Sequence, residues 1–73
     1  MNEDSADTER HNGRIRRLTD KGFGFIQDVD GDIYFSSADV VSVRIEDLRE
    51  GQVVTYTIEA GPKGRVAKNV TPL

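Results

Sequence analysis

The chain has 73 residues, no cysteine, one histidine and a formal net charge of −3 at pH 7. This length allows a single domain, and the missing cysteines exclude disulfides and thiolate metal sites. With His11 as the single histidine, we expect no metal and no cofactor. No stretch approaches the roughly 18 consecutive apolar residues of a membrane span, and the N-terminus lacks the basic start and apolar run of a signal peptide. We therefore expect a soluble, cytoplasmic protein that does not bind membranes.

The first twelve residues are polar and acidic, and they carry the whole net charge. Such a composition buries too little apolar surface to offset chain entropy. We predict a disordered acidic tail over residues 1–12 and one domain over residues 13–73. Within the domain the charges balance, but seven of its nine cations fall in two clusters. The first comprises Arg14, Arg16, Arg17 and Lys21, and the second comprises Lys63, Arg65 and Lys68.

The rest of the chain has the pattern of β-strands, with apolar and polar residues alternating in "DIYFS" and "VVTYTIE". This period of two is typical of half-buried strands. We predict strands near residues 13–19, 23–28, 32–36, 52–60 and 65–70. The dipeptide Asp30-Gly31 is a strong hairpin signal, and "GPKG" at 61–64 predicts a second turn. Ser36 and Asp39 have the spacing of a capping box, which favours one short helical turn there.

Five strands in so short a chain must close on themselves to avoid exposed edges. The sequence therefore predicts an all-β fold, a five-stranded antiparallel Greek-key barrel of the OB class. Gly24 is expected where strands cross closely. The predicted core consists of Ile15, Leu18, Ile26, Ile33, Phe35, Val40, Leu48, Val54, Tyr56, Ile58 and Val70.

Three aromatic residues are predicted to face outward. If Ile26 lies in the core, alternation turns Phe23 and Phe25 to the other face, and Tyr34 is placed outside by the same argument. Solvent-facing rings are uncommon without a binding role. Rings that stack on bases, flanked by cations that track phosphates, are what a single-stranded nucleic acid requires. The alternative is that Phe23 and Phe25 are ordinary core residues.

We find no catalytic constellation in the sequence and predict that the protein is not an enzyme. His11 falls in the predicted tail and has no nucleophile to activate. The neighbouring carboxylates Asp28 and Asp30 fall on a turn, without a shielding pocket.

Four ordered motifs resemble the cold-shock domain family, which includes the bacterial cold-shock proteins and their Y-box relatives. These motifs are "KGFGFI", "DIYFSSADV", "LREGQVVTYTIEAGPKG" and "AKNV", and they span nearly all of the predicted domain. The resemblance implies an OB-type barrel that binds single-stranded RNA and DNA, often prefers pyrimidines, and acts as an RNA chaperone.

The resemblance also implies a set of binding residues. Phe23, Phe25 and Tyr34 would stack on bases. The other implied nucleic-acid-binding residues are Lys21, Arg14, Arg16, Arg17, Asp32, Lys63 and Lys68. We expect the protein to act as a monomer. One hypothesis for the acidic tail is that it competes with nucleic acid for the basic face.

Several positions depart from the family pattern. Arg17 stands in place of a Trp, and it could stack on a base, pair with phosphate or be a solvated strand residue. The other replacements are Leu18 for Phe, Ser36 for His, Ser37 for an aromatic residue or Arg, and Ile45 for a loop aromatic. With fewer stacking positions, the alternative function is a protein-interaction module that has lost much of its nucleic-acid binding.

Overall fold

The computed structural model describes residues 10–29, 31–62 and 64–73. Most of the predicted tail, together with Asp30 and Lys63, lies outside the described residues. The chain forms five strands: β1 (His11–Leu18), β2 (Phe23–Asp28), β3 (Gly31–Ser36), β4 (Val53–Gly61) and β5 (Gly64–Pro72). Two single-turn 3-10 helices, Ser37–Asp39 and Ile45–Asp47, lie between β3 and β4. Neither of these described helices is long or apolar enough to cross a membrane.

The strands close into one barrel in the order β1-β2-β3-β5-β4, with β4 returning to β1. All neighbours are antiparallel except β3 and β5, which pair in parallel with Tyr34 opposite Val66. This parallel pair closes the barrel. An isolated parallel bridge between Val40 and Val70 continues the contact with β5 beyond the end of β3. Closure leaves neither side of the sheet as an open edge. The predicted all-β, five-stranded barrel is confirmed.

The predicted core residues fill the barrel. Eight of them are buried, while Leu18, Val40 and Ile58 are half-buried and pack against the core. The sequence missed Ala67, which is fully buried. The hydroxyl of the buried Tyr56 donates a hydrogen bond to the Asp28 carboxylate. The pKa of this hydroxyl is raised, mainly by burial and secondly by the neighbouring carboxylate.

The first strand differs from its prediction in two ways. It begins at His11, two residues earlier than predicted, and the Arg10 guanidinium is already fixed to Thr55 Oγ1 (2.7 Å) and the Asn69 carbonyl (2.8 Å). The boundary at residue 13 was therefore placed too late. The register of β1 on β2 also shifts between Ile15 and Arg17, which marks a bulge.

This bulge decides which side chains of β1 face outward. Ile15 pairs with Ile26 and is buried, whereas Arg16 and Arg17 are both exposed. Strict alternation would turn Arg17 inward. One extra residue in the strand instead turns two consecutive arginines outward before Leu18 returns to the core.

The capping-box prediction at the end of β3 agrees with the structure. Asp39 Oδ2 accepts hydrogen bonds from the Ser36 backbone N–H (2.9 Å) and the Ser36 hydroxyl (3.1 Å). The helical turn that follows is a single 3-10 turn. It places Ser36 and Ser37 at the end of the strand that carries Tyr34.

Candidate nucleic-acid interface

The rings of Phe23, Phe25 and Tyr34 contact one another on the outside of the barrel, and we call this surface the aromatic face. The centroid of Tyr34 lies 5.6 Å from Phe23 and 6.0 Å from Phe25. Tyr34 is 41% exposed, and the two phenylalanines are half-buried and lie outside the core cluster. The structure therefore excludes the reading in which Phe23 and Phe25 are core residues.

The aromatic face is not flat. The planes of Phe23 and Tyr34 are tilted by 31°, but Phe25 stands at 89° to Phe23 and 70° to Tyr34. Phe25 thus meets both neighbours in an edge-to-face arrangement, which is favourable for aromatic pairs. Two rings present similar orientations to a ligand, and the third forms a wall beside them.

Two rings of the aromatic face belong to a row of four residues that lie side by side on four neighbouring strands. We call these residues, Arg17, Phe25, Tyr34 and Val66, the aromatic row. Phe25 lies opposite Tyr34 on β3 and opposite Arg17 on β1, while Tyr34 lies opposite Val66 on β5. Residues directly opposite one another share a face of the sheet. Arg17 therefore lies at the end of the aromatic row, where the bulge in β1 has placed it.

A surface pocket begins at this end of the row. Its walls are Arg16, Arg17, Phe25, Asp32 and Glu50. Arg16 Nε and Asp32 Oδ2 are 3.3 Å apart and form an ion pair across this surface. Glu50 Oε2 accepts a hydrogen bond from the Leu18 backbone N–H (3.1 Å), which holds this carboxylate against β1.

The remaining cations predicted from the sequence have different surroundings. Lys21 is exposed on the turn between β1 and β2, two residues before Phe23. The Arg14 guanidinium is exposed and donates a hydrogen bond to the Gly51 carbonyl at 3.0 Å. Lys63 lies outside the described residues. Lys68 is separate from these groups, because its Nζ is 2.9 Å from Asp39 Oδ1.

The Asp39 side chain is only 8% exposed, and its environment acts in both directions. Burial raises the pKa of this carboxyl, but the hydrogen bond from Lys68 and those from Ser36 outweigh burial and leave its pKa below the ordinary value of 3.8. The same contact raises the pKa of Lys68. Asp39 and Lys68 thus join the helical turn to β5 as an ion pair.

Two parts of the surface were missed by the sequence reasoning. One is an apolar groove that Tyr34 forms with Pro62, Arg65 and Val66. The other is Glu50, which lines the pocket at the Arg17 end of the aromatic row. The groove depends on the parallel pairing of β3 with β5, for which the local sequence pattern gives no signal. Glu50 precedes β4 and carries no signature that connects it to β1.

The side chains that commonly hold metal ions are scattered in the described part of the chain. Within residues 10–29, 31–62 and 64–73, no group of three or more His, Cys, Asp or Glu side chains is placed to hold a metal ion. His11 lies on β1, and its ring stacks on Tyr56 with centroids 6.0 Å apart. Its placement in the tail was therefore wrong.

A closed OB-type barrel with clustered rings and cations on one face defines a nucleic-acid-binding module. The sequence matches the model of the family described as the 'Cold-shock' DNA-binding domain over residues 11–73. This chain belongs to the cold-shock domain family, and it binds nucleic acid in an RNA-chaperone-like role.

Relatives support this assignment over most of the chain. The Cold shock-like protein CspB of Escherichia coli is 47% identical over 53 residues, which cover 70% of this chain and 75% of that protein. Cold shock protein 2 of Lactiplantibacillus plantarum is 41% identical over 63 residues, covering 84% of this chain and 96% of that protein. Among solved structures, drosophila Unr CSD456 has a similar fold, with a TM-score of 0.73 at 20% identity. That match covers 99% of this chain and 31% of the other.

Proposed function

We propose that this protein binds single-stranded RNA or DNA without catalysis and that bases stack on the aromatic face. The observation that carries the proposal is the mutual contact of Phe23, Phe25 and Tyr34 on the outside of a barrel whose core is already filled. These rings do not complete the core, and every base has a π-face that can stack on them.

The phosphates of the bound strand pair with cations around the aromatic face. Lys21 and Arg14 have exposed side chains, and Arg16 and Lys63 complete the set. Arg17 contacts the bound strand at the end of the aromatic row. Asp32 contributes by fixing Arg16. Lys68 contributes least, because Asp39 already neutralises it. With Z such contacts, the logarithm of the affinity falls with the logarithm of salt concentration at a slope of about −0.7Z.

The preferred strand is rich in pyrimidines, and the protein acts in the cytoplasm as a monomer. Because it binds only the unpaired form, it shifts the equilibrium of a structured RNA toward the open state by mass action. No energy source is needed for this activity. The extent of melting then depends on the protein concentration relative to its dissociation constant.

A two-dimensional NMR titration of the labelled protein with heptathymidylate and heptauridylate, at low and moderate salt, tests the proposal. We expect shifts confined to the strands that carry Phe23, Phe25 and Tyr34, and weaker binding at higher salt. Unchanged spectra at high ligand concentration would contradict nucleic-acid binding through this face.

A protein-interaction module is the second candidate function. It is favoured by the internal pairing of Arg16 with Asp32 and of Lys68 with Asp39, which reduces the positive charge available for phosphates. In that case, the apolar groove beside Tyr34 would dock a protein side chain instead of a base. The titration separates the two functions, because only the first predicts salt-sensitive binding of short oligonucleotides.

A further inference from the structure

The pocket at the Arg17 end of the aromatic row combines charged groups of both signs with an aromatic wall. Arg16 and Arg17 supply two guanidinium groups, Asp32 and Glu50 supply two carboxylates, and Phe25 supplies the ring. The four formal charges cancel. A phosphate inside this neutral pocket would gain less from the two guanidinium groups than it gains from an unpaired cation, because two carboxylates lie close to them. The pocket is therefore better matched to a ligand that has both hydrogen-bond donors and acceptors.

Two of the four charged groups already satisfy each other. Arg16 and Asp32 form the ion pair described above. By contrast, the Arg17 guanidinium forms no hydrogen bond or ion pair with another residue in the described part of the chain. Glu50 uses Oε2 to accept from the Leu18 N–H, so its other oxygen stays available to a ligand. Arg17 directly precedes Leu18, so this hydrogen bond holds the acceptor near the donor.

We propose that the pocket formed by Arg17, Phe25 and Glu50 is a subsite that selects guanine within the bound strand. This inference rests on the proposed function. Guanine presents O6 and N7 as a pair of acceptors, which suits the fork of donors on a guanidinium. Its N1–H and N2–H₂ groups are neighbouring donors on another edge, which suits a carboxylate: Oε1 of Glu50 accepts from one of them and the remaining lone pair of Oε2 accepts from the other. In a single strand both edges are open to protein side chains.

The other bases satisfy the pocket less completely. Uracil and thymine offer a single ring N–H donor to the carboxylate, and adenine lacks the acceptor pair that guanine presents to Arg17. Cytosine offers its N4–H₂ group to Glu50 but has no second donor beside it. Guanine also has the larger ring system to pack against Phe25. A guanine in this position, within an otherwise pyrimidine-rich strand, uses all three residues.

A position scan tests the proposal. The dissociation constant of the full chain is measured for heptathymidylate and for heptamers in which one thymidine is replaced in turn by guanosine, cytidine or adenosine. We expect guanosine at one position to tighten binding about tenfold, since a good bidentate pair discriminates by that order. The other two substitutions should not tighten binding at that position.

Three variants identify the residues responsible. Glu50→Gln removes the carboxylate while keeping an oxygen for the Leu18 N–H, and it should bring the guanosine-to-thymidine affinity ratio toward one. Arg17→Lys keeps the charge but not the bidentate fork, so it should also lower this ratio with little change in the salt slope. Glu46→Gln makes the same chemical change on an exposed carboxylate outside the pocket, and it should keep the ratio.

The outcomes separate this inference from the function on which it rests. If heptathymidylate binds but guanosine tightens binding at no position, the guanine subsite is wrong and the proposed function stands. A preference for cytidine or adenosine at the responsive position, or a ratio that Arg17→Lys leaves unchanged, would also overturn the subsite. If no heptamer binds, both the subsite and the proposed function fail.

Discussion

Gly24 and Phe35 lie directly opposite each other on β2 and β3, on the inner face of the barrel. Phe35 is fully buried, and a Cβ atom built on Gly24 would lie 3.0 Å from two carbon atoms of its ring and 2.6 Å from the Arg17 carbonyl oxygen. The missing side chain of Gly24 thus makes room for Phe35. It also lets β1 approach β2 closely between the two outward-facing phenylalanines.

Replacing Gly24 with alanine should destabilise the fold. The added methyl group meets backbone and a buried ring, and overpacking of this kind costs about 1–3 kcal/mol in the free energy of unfolding. Urea denaturation of the Gly24→Ala variant measures this loss. Gln27→Ala, an exposed position on the same strand, should change stability by less than about 0.5 kcal/mol. Equal stabilities for the two variants would refute the close packing at Gly24.

Removing a ring from the aromatic face should weaken binding much more than it weakens the fold. Tyr34→Ala deletes a partly exposed ring, and the loss of one stacked base corresponds to roughly tenfold or more in the dissociation constant. Fluorescence anisotropy with labelled heptathymidylate gives the affinity, and thermal unfolding reports the fold. Val29→Ala, at a side chain that is 94% exposed on the β2–β3 turn, should bind like the wild type. Wild-type affinity in the Tyr34 variant would argue against stacking there.

The salt dependence of binding should distinguish Lys21 from Lys68. Lys21→Gln removes an exposed cation two residues before Phe23, so the log–log slope should become less negative by about 0.7. Lys68→Gln should change the slope less, because Asp39 already holds that ammonium. Titrations at four or five salt concentrations provide both slopes. The assignment of Lys68 to the fold would be wrong if its variant altered the slope as much as the Lys21 variant.

The ion pair between Asp39 and Lys68 should stabilise the protein in a pH-dependent way. The folded pKa of Asp39 is lowered from 3.8, so its contribution is present above the unfolded pKa and is lost as pH falls through the folded pKa. In Lys68→Gln, burial of Asp39 is no longer offset by the ammonium. The stability gap between the wild type and this variant should therefore be full at neutral pH and narrow below about pH 4.

Denaturant titrations from pH 2.5 to pH 7 follow this gap directly. Arg49→Gln provides a matched control, because it also removes a positive charge, from an exposed residue whose side chain has no ion pair within the described part of the chain. Its stability difference from the wild type should vary less across this range. If the stability gap for Lys68→Gln were independent of pH, the ionised Asp39 carboxylate would not be stabilised by Lys68.

The acidic tail should weaken nucleic-acid binding through charge repulsion. Because β1 begins at His11 and Arg10 is fixed to β4 and β5, a clean test deletes residues 2–9 and keeps both residues. We expect the shortened protein to bind heptathymidylate more tightly, with the largest difference at low salt, where screening is weakest. Identical affinities at low salt would show that the tail plays no electrostatic role.

The sequence by itself determined the strands and the outward direction of the rings. Alternation is a local signal, so "DIYFS" was enough to place β3. The pattern of glycine and aromatic residues in "KGFGFI" indicated that Phe23 and Phe25 share a face. These features depend on residues close together in the chain, and the pleat of a strand carries them into the fold.

The tertiary structure alone decided how the site is assembled. A bulge after Ile15 turned Arg17 outward against the alternation, and the parallel pairing of β3 with β5 brought Val66 beside Tyr34. The pairings of Lys68 with Asp39 and of Glu50 with β1 also join residues far apart in the chain. Such contacts depend on strand register and barrel closure, which the alternation within a single strand does not encode.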